Sequence, residues 1–184
     1  LFAGNLGNAQ SLSTILDAAA LLASHADIRF TIAGSGSLSD WLLNTIKQQT
    51  LDNVEFIGRF SPSAMPGIFA QASALLVTLV RDEMLEKVIP SKIATYLAAG
   101  RPIVASIDGE GAKVIKDSHA GFAVPAQDAR ALAEAILRLS SLSVAERDAM
   151  GQAGREYYER HFEPNRLTDQ LVKHFADAIR IWSR

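Results

Sequence analysis

Short apolar runs alternate with amphipathic stretches almost from end to end of this chain, and that alternation restricts the fold more than any other feature. The runs at 1–3, 29–33, 54–57, 74–79, 102–106 and 121–124 are mostly apolar without a polar-apolar period. Strands buried on both faces of a parallel sheet read this way. Between them lie helical stripes: Leu12, Ile15, Leu16, Ala19, Leu22 and Ala23 share one face, as do Leu132, Ile136 and Leu139. Asp128 is placed to cap the second of these helices, and Ser143-Val144-Ala145-Glu146 forms a capping box for the next. Strand-helix-strand repetition predicts right-handed crossovers and an open, doubly wound α/β domain of about six parallel strands with helices on both faces.

From Ser143 onward the strands stop. Tyr158 and Phe162 form one apolar pair, and Leu167, Leu171, Phe175, Ala178 and Trp182 form a longer stripe, with Glu163-Pro164 breaking the chain between them. Extra C-terminal helices over 143–184 are therefore expected, and their apolar face needs something to cover. The whole of 1–184 reads as one domain: a hydrophobic fraction of 48% in 184 residues is enough to build a core and excludes disorder. The chain has no cysteine, which removes a disulfide scaffold and a zinc-thiolate site. A net charge of -2 leaves no electrostatic footprint for nucleic acid. The longest apolar run, 72–80, is far shorter than the ~20 residues of a membrane span. The chain starts at Leu1, already in a strand, so it reads as a fragment of a longer protein.

In an open parallel sheet, ligands bind beyond the carboxyl ends of the strands, where helix N-termini present free N–H groups to anions. Four post-strand loops stand out. Gly4-Asn5-Leu6-Gly7-Asn8-Ala9-Gln10 permits close backbone approach to a phosphate, although it is neither a P-loop nor a dinucleotide fingerprint, and a plain tight turn fits as well. Gly34-Ser35-Gly36 reads, taken alone, as a turn. In Pro90-Ser91-Lys92 a helix opens with a lysine in its first turn, where a cation opposes the helix dipole. That choice makes sense if an anion such as a diphosphate binds there, against the alternative of a solvated surface lysine. Gly100 then ends the helix. Asp108-Gly109-Glu110-Gly111 reads as a flexible turn rather than a metal site, and the histidines at 25, 119, 161 and 174 show no ligand spacing.

In order and spacing, five segments resemble a known family. They are Phe2-Ala3-Gly4-Asn5-Leu6-Gly7 with Gln10; Phe30-Thr31-Ile32-Ala33-Gly34-Ser35-Gly36; Asn53-Val54-Glu55-Phe56-Ile57-Gly58-Arg59; Val88-Ile89-Pro90-Ser91-Lys92 with Tyr96-Leu97-Ala98-Ala99-Gly100-Arg101-Pro102; and Gly121-Phe122-Ala123-Val124-Pro125. The chain resembles the C-terminal, nucleotide-sugar-binding half of retaining glycosyltransferases of the GT-B fold, family four, on the branch that makes bacterial surface polysaccharides. The resemblance implies a Rossmann-like sheet and a UDP-sugar donor carrying a hexosyl or N-acetylhexosaminyl group. It places Gly7 near the diphosphate, the stretch from Phe56 through Gly58 to Arg59 around the base, and Ser91 and Lys92 at the pyrophosphate and sugar. Asn5, Gln10, Gly34 and Thr95 complete the implied donor set.

Two departures matter. Many relatives carry Arg and Lys where this chain has Asn5 and Gln10, and a paired glutamate motif where it has Lys87 and Thr95. Lys92 then carries more of the charge, and Glu86 joins it as the catalytic candidate, with Asp82 and Glu83 as alternative acidic contacts to the sugar. The resemblance further implies no metal or cofactor, and a glycan or lipid-linked acceptor held by an absent N-terminal domain, so that this piece alone transfers nothing. It also implies a cytoplasmic site of action with at most peripheral membrane contact. A sugar-nucleotide epimerase half and a non-catalytic domain with a degenerate site stay open as alternatives. A dehydrogenase lacks its glycine fingerprint here, and a receiver domain its acidic cluster.

Overall fold

The computed structural model describes residues 1–182. Six strands carry the alternation read from the sequence: β1 Phe2–Asn5, β2 Phe30–Ser35, β3 Val54–Gly58, β4 Leu75–Thr78, β5 Ile103–Ser106 and β6 Gly121–Val124. Eight helices follow or flank them: α1 Leu12–Leu21, α2 Ser39–Gln48, α3 Met65–Gln71, α4 Ser91–Ala99, α5 Gly109–Asp117, α6 Ala129–Ser140, α7 Val144–His161 and α8 Pro164–Trp182. All strand pairings are parallel, in two three-stranded sheets of order β1-β2-β3 and β4-β5-β6. Every residue of β4 and β5 is buried, which accounts for their unalternating apolar sequence.

The two sheets meet where β1 and β4 begin. Leu76 N donates to Leu1 O at 2.7 Å and Leu1 N donates to Ala74 O at 2.9 Å, giving an overall order 3-2-1-4-5-6 that reverses between β1 and β4. Beyond that point the two strands separate. Ala3 would be left with an unpaired donor and acceptor, but the Tyr96 hydroxyl supplies both partners. It accepts from Ala3 N at 2.9 Å and donates to Ala3 O at 3.0 Å. Tyr96 is fully buried and packs edge-on against Phe69 at 5.5 Å. Burial drives its phenol pKa far above the ordinary value.

Helices cover both faces. One core joins α1, α2 and α6 to the sheets through Phe2, Leu12, Ile15, Leu16, Ile32, Leu42 and Leu132. The other joins α3, α4 and α5 through Phe69, Ile93, Tyr96, Leu97 and Ile115, with Tyr158 and Phe162 of the α7 end packed against it. The α1 stripe is shorter than its sequence suggests: the helix stops at Leu21, Leu22 is still buried, and Ala23 is exposed in the turn beyond. Asp128 caps α6 by accepting from Ala131 N at 2.9 Å, and Ser143 and Glu146 form the capping box of α7. α7 packs tightly on the end of α4 and the start of β6: a Cβ on Gly151 would stand 2.1 Å from Gly100 O, and one on Gly154 would stand 2.9 Å from Ala120 Cβ. Arg155 crosses the same contact and donates to Ala98 O at 2.7 Å. The stripe on α8 does not cap the domain: Leu167, Leu171 and Phe175 are all exposed.

The acidic loop Asp108–Gly111 is no flexible turn. Asp108 accepts from Ala126 N at 3.2 Å and pairs with Arg81 at 3.4 Å, while residues 109–111 already belong to α5.

Two substitutions test this packing. Tyr96→Phe strips both partners from Ala3 while keeping the ring, and should lower stability by about 1–3 kcal/mol, read as a reduced urea midpoint at unchanged slope. Gly151→Ala should cost a similar ~1–3 kcal/mol by forcing α7 away from Gly100. A thermal or urea midpoint equal to that of the parent chain would contradict either assignment.

Candidate functional site

The parting of β1 and β4 opens a crevice at the carboxyl ends of the strands, a cavity of about 770 Å³. That volume suits a drug-sized or nucleotide-sized ligand. Its floor is Ala3, Gly4 and Asn5 of β1; its far wall is Pro90 with Ser91, Lys92 and Thr95 of α4. A second cavity, about 780 Å³, reaches the beginnings of β1 and β2 near Leu1 and Arg29, away from the α4 N-terminus. The switch-point crevice is the one to which helix N–H groups point, and α4 begins there with no side-chain cap.

Lys92 dominates the crevice. Its stem crosses β1 where Gly4 has no side chain: a Cβ there would lie 3.1 Å from Lys92 Cε. The ammonium sits 3.5 Å from the centroid of the Phe2 ring and donates to Gln10 Oε1 at 3.0 Å. It is half-buried, not a solvated surface lysine, and desolvation lowers its pKa from 10.5 to about 7. The other charged side chain lining the crevice is Arg59, and no carboxylate lines it among the described residues. Such a cavity concentrates positive potential.

Of the residues singled out in the sequence, Asn5, Gln10, Gly34, Arg59, Ser91, Lys92 and Thr95 all line this one cavity. Gly34, read alone as a turn, is a crevice residue whose φ of +145° and close approach to Gly4 O leave no space for a Cβ. Thr95 is exposed and its hydroxyl donates to Ser91 O at 3.3 Å. Gly7 is outside the lining, beside the Asn5 amide. Gly58 is likewise outside the lining; its φ of +74° turns the chain at the end of β3, just before Arg59. Glu86 is not a lining residue either. It lies in the short 3-10 turn Leu85–Lys87, whose backbone packs on Gly109, while its neighbours Leu85 and Val88 face the cavity. Asp82 is committed to that turn, accepting from Met84 N at 2.8 Å and Leu85 N at 3.1 Å.

Sequence reasoning missed the apolar part of the site: Phe2 beneath the ammonium, and Phe60, Pro62 and Met65 on the wall. Pro62 and Met65 carry no periodic signal, and Phe2 reads simply as a strand residue. Among the described residues no group of three or more His, Asp or Glu side chains comes together as a metal-ligand set, and no helix is long and apolar enough to cross a membrane.

Comparison with known proteins bears directly on this arrangement. The family model described as glycosyl transferases group 1 matches residues 1–141. A protein of Escherichia coli (strain K12) named as a colanic acid biosynthesis glycosyltransferase, WcaL, is 27% identical over 147 residues, which is 78% of this chain and 36% of the relative. Spore coat protein SA of Bacillus subtilis (strain 168) is 25% identical over 181 residues, 94% of this chain and 47% of that protein. The chain thus spans less than half the length of these curated relatives. Among solved structures, Anabaena Alr3699/HepE in complex with UDP superposes with a TM-score of 0.81 at 16% identity, over 96% of this chain and 48% of that one. The C-terminal domain of the glycosyl transferase group 1 family protein LpcC from Francisella tularensis gives 0.72 at 17% identity, over 88% of this chain and 85% of that one. At such identities the structures speak for the fold, a GT-B Rossmann-like domain, and the family match over 1–141 speaks for descent. The chain belongs to the glycosyl transferases group 1 family, family-four-like and of GT-B fold.

Proposed function

We propose that the crevice is the donor site of a glycosyltransferase that takes a hexosyl or N-acetylhexosaminyl group from a UDP-sugar in bacterial polysaccharide synthesis. The observation that carries this reading is the half-buried Lys92 ammonium beside the uncapped start of α4, in a cavity with two cationic side chains. The comparisons support the ligand class: HepE was crystallised with UDP, and the pneumococcal O-GlcNAc transferase GtfA with UDP and GlcNAc. WcaL, by its name, supports the polysaccharide setting.

The chemistry follows from charge. When the bond between the anomeric carbon and the phosphate oxygen breaks, negative charge grows on the departing diphosphate. Lys92 and the free N–H groups of α4 stabilise that charge more than the ground state, which lowers the barrier. In this reading Arg59, exposed just past the end of β3, pairs or stacks near the base. Thr95 offers a hydroxyl in place of a carboxylate, which makes a weaker contact to sugar hydroxyls. Glu86 lies outside the lining, so in this reading the catalytic burden falls on Lys92. In this reading the donor needs no metal or other cofactor. The acceptor, a glycan or a lipid-linked glycan, and any general base come from an N-terminal domain, and the 184-residue piece binds donor without transferring it. The enzyme would work in the cytoplasm, where sugar nucleotides are made, with peripheral membrane contact if the acceptor is lipid-linked. Nucleic acid has no part in it.

Lys92→Ala should weaken UDP-glucose binding at least about tenfold, the loss expected for one charge-assisted phosphate contact. Isothermal calorimetry reads it, and unchanged affinity would remove the phosphate assignment. Product analysis with the full-length protein separates transfer from epimerisation, since an epimerase needs no acceptor.

The pH dependence has a definite sign. Lys92 releases its proton at about 7 in the free folded protein. A bound diphosphate raises that value, so binding takes up a proton, and UDP-glucose affinity should fall as pH rises above 7, by up to about tenfold per unit. Calorimetry in buffers of different ionisation enthalpy should show proton uptake at pH 8. Stability without ligand moves the other way: unfolded lysine keeps its proton to 10.5, so the burial penalty is complete below 7 and disappears as pH climbs from about 7 to 10.5.

A further inference from the structure

Lys92 has one hydrogen-bond acceptor among the described residues, the side-chain oxygen of Gln10. Gln10 is itself held from two sides, independently of Lys92. Its N–H donates to Gly7 O at 3.0 Å, the Thr78 hydroxyl donates to its carbonyl at 2.5 Å, and Val80 N donates to the neighbouring Ala9 O at 3.0 Å. The turn that presents the amide is thus fixed by the end of β4. The other charged or titratable groups around the ammonium do not compensate it. Arg59 is cationic, the Tyr96 hydroxyl is spent on Ala3, Asp82 caps its own turn, and Arg155 of α7 reaches only the far end of α4.

We propose that Gln10 is a positioning residue for Lys92: its amide draws the ammonium across β1 into the crevice mouth while leaving the charge uncompensated for an anionic ligand. The inference rests on the donor-site reading and deepens it. A neutral acceptor orients a cation without cancelling it. A carboxylate at the same distance would hold the ammonium as an ion pair and compete with the ligand's phosphates. An apolar side chain would leave the ammonium without an acceptor, and the flexible lysine stem would carry it out toward water.

Gln10→Glu and Gln10→Met, made in the full-length protein, distinguish these cases. Two measurements are needed: the ionisation of Lys92 without ligand, followed by the 13C NMR shift of its Cε, and UDP-glucose affinity across pH 6.5–9. Gln10→Glu should raise the Lys92 midpoint by at least about one unit, weaken UDP-glucose at least about tenfold at pH 7, and flatten the fall in affinity above neutrality. Gln10→Met should let the midpoint climb toward the ordinary lysine value as the ammonium moves out to water, and weaken binding several-fold. If Gln10→Glu leaves both the midpoint and the pH profile of binding as in the parent, the positioning role is overturned. The NMR readout needs no ligand, so the two readings fail separately. A parent protein that binds no UDP-glucose defeats the donor reading, whereas an unmoved Lys92 midpoint in Gln10→Glu defeats the pairing.

Discussion

Everything distinctive in this molecule follows from two parallel strands that start together and then part. β1 and β4 share main-chain hydrogen bonds only around Leu1 and Leu76, and past them the edge of β1 would carry bare polar groups into the interior. Burying an unpaired backbone donor and acceptor is expensive, so the gap persists only because one phenolic oxygen serves both. Tyr96 thereby ties α4 to β1. Lys92 lies four residues earlier on the same helix and so on the same face. The contact that keeps the sheets apart also aims the cation into the opening it creates.

The electrostatic character of the crevice comes from how little opposes that cation. A lysine in the first helical turn runs against the macrodipole, and its partial burial over Phe2 costs solvation as well. The ring face recovers part of this through its quadrupole, and Gln10 recovers part through one hydrogen bond. What remains is a cation poised near neutrality in its proton affinity. Such a group responds strongly to an arriving anion, because both the charge and the proton equilibrium shift in the same direction. A fully solvated lysine would bring charge but no such coupling.

The strand pattern was legible because burial on both faces leaves a plain signature: β4 and β5 are apolar at nearly every position, and β6 falls at 121–124 as the sequence suggests. Caps were legible too, since Asp128 and the Ser143–Glu146 pair use local chemistry that needs no tertiary context. α3 was harder to see. Met65–Gln71 has a proline and a glycine in seven residues, and its helicity depends on packing Phe69 against Tyr96. In the crevice, residues tied to glycine turns or a helix start could be found by motif. Phe2 and Phe60 could not, because an aromatic residue beneath a cation and one in a core look alike in sequence. Glu86 is a different case: an acidic residue whose 3-10 turn, Leu85–Lys87, lies off the cavity lining, which no sequence spacing shows.

The first loop shows why chemistry here is a property of the seam rather than of any single motif. Its glycines suggest a pliant phosphate-binding turn, yet Thr78 at the end of β4 and Val80 just past it fasten the loop. The loop that presents Gln10 therefore moves with β4, while Lys92 moves with α4, and Tyr96 and Ile93 of that helix are buried in the core shared with β4 and β5. A packing defect in β4 or α4 would thus shift donor and acceptor of the Lys92–Gln10 bond relative to each other. Because a fully buried core transmits strain instead of absorbing it, such a defect would disturb the charge in the crevice without touching any residue that lines it. The ligand-facing geometry is set from behind, by the strands whose apolar runs first identified the fold.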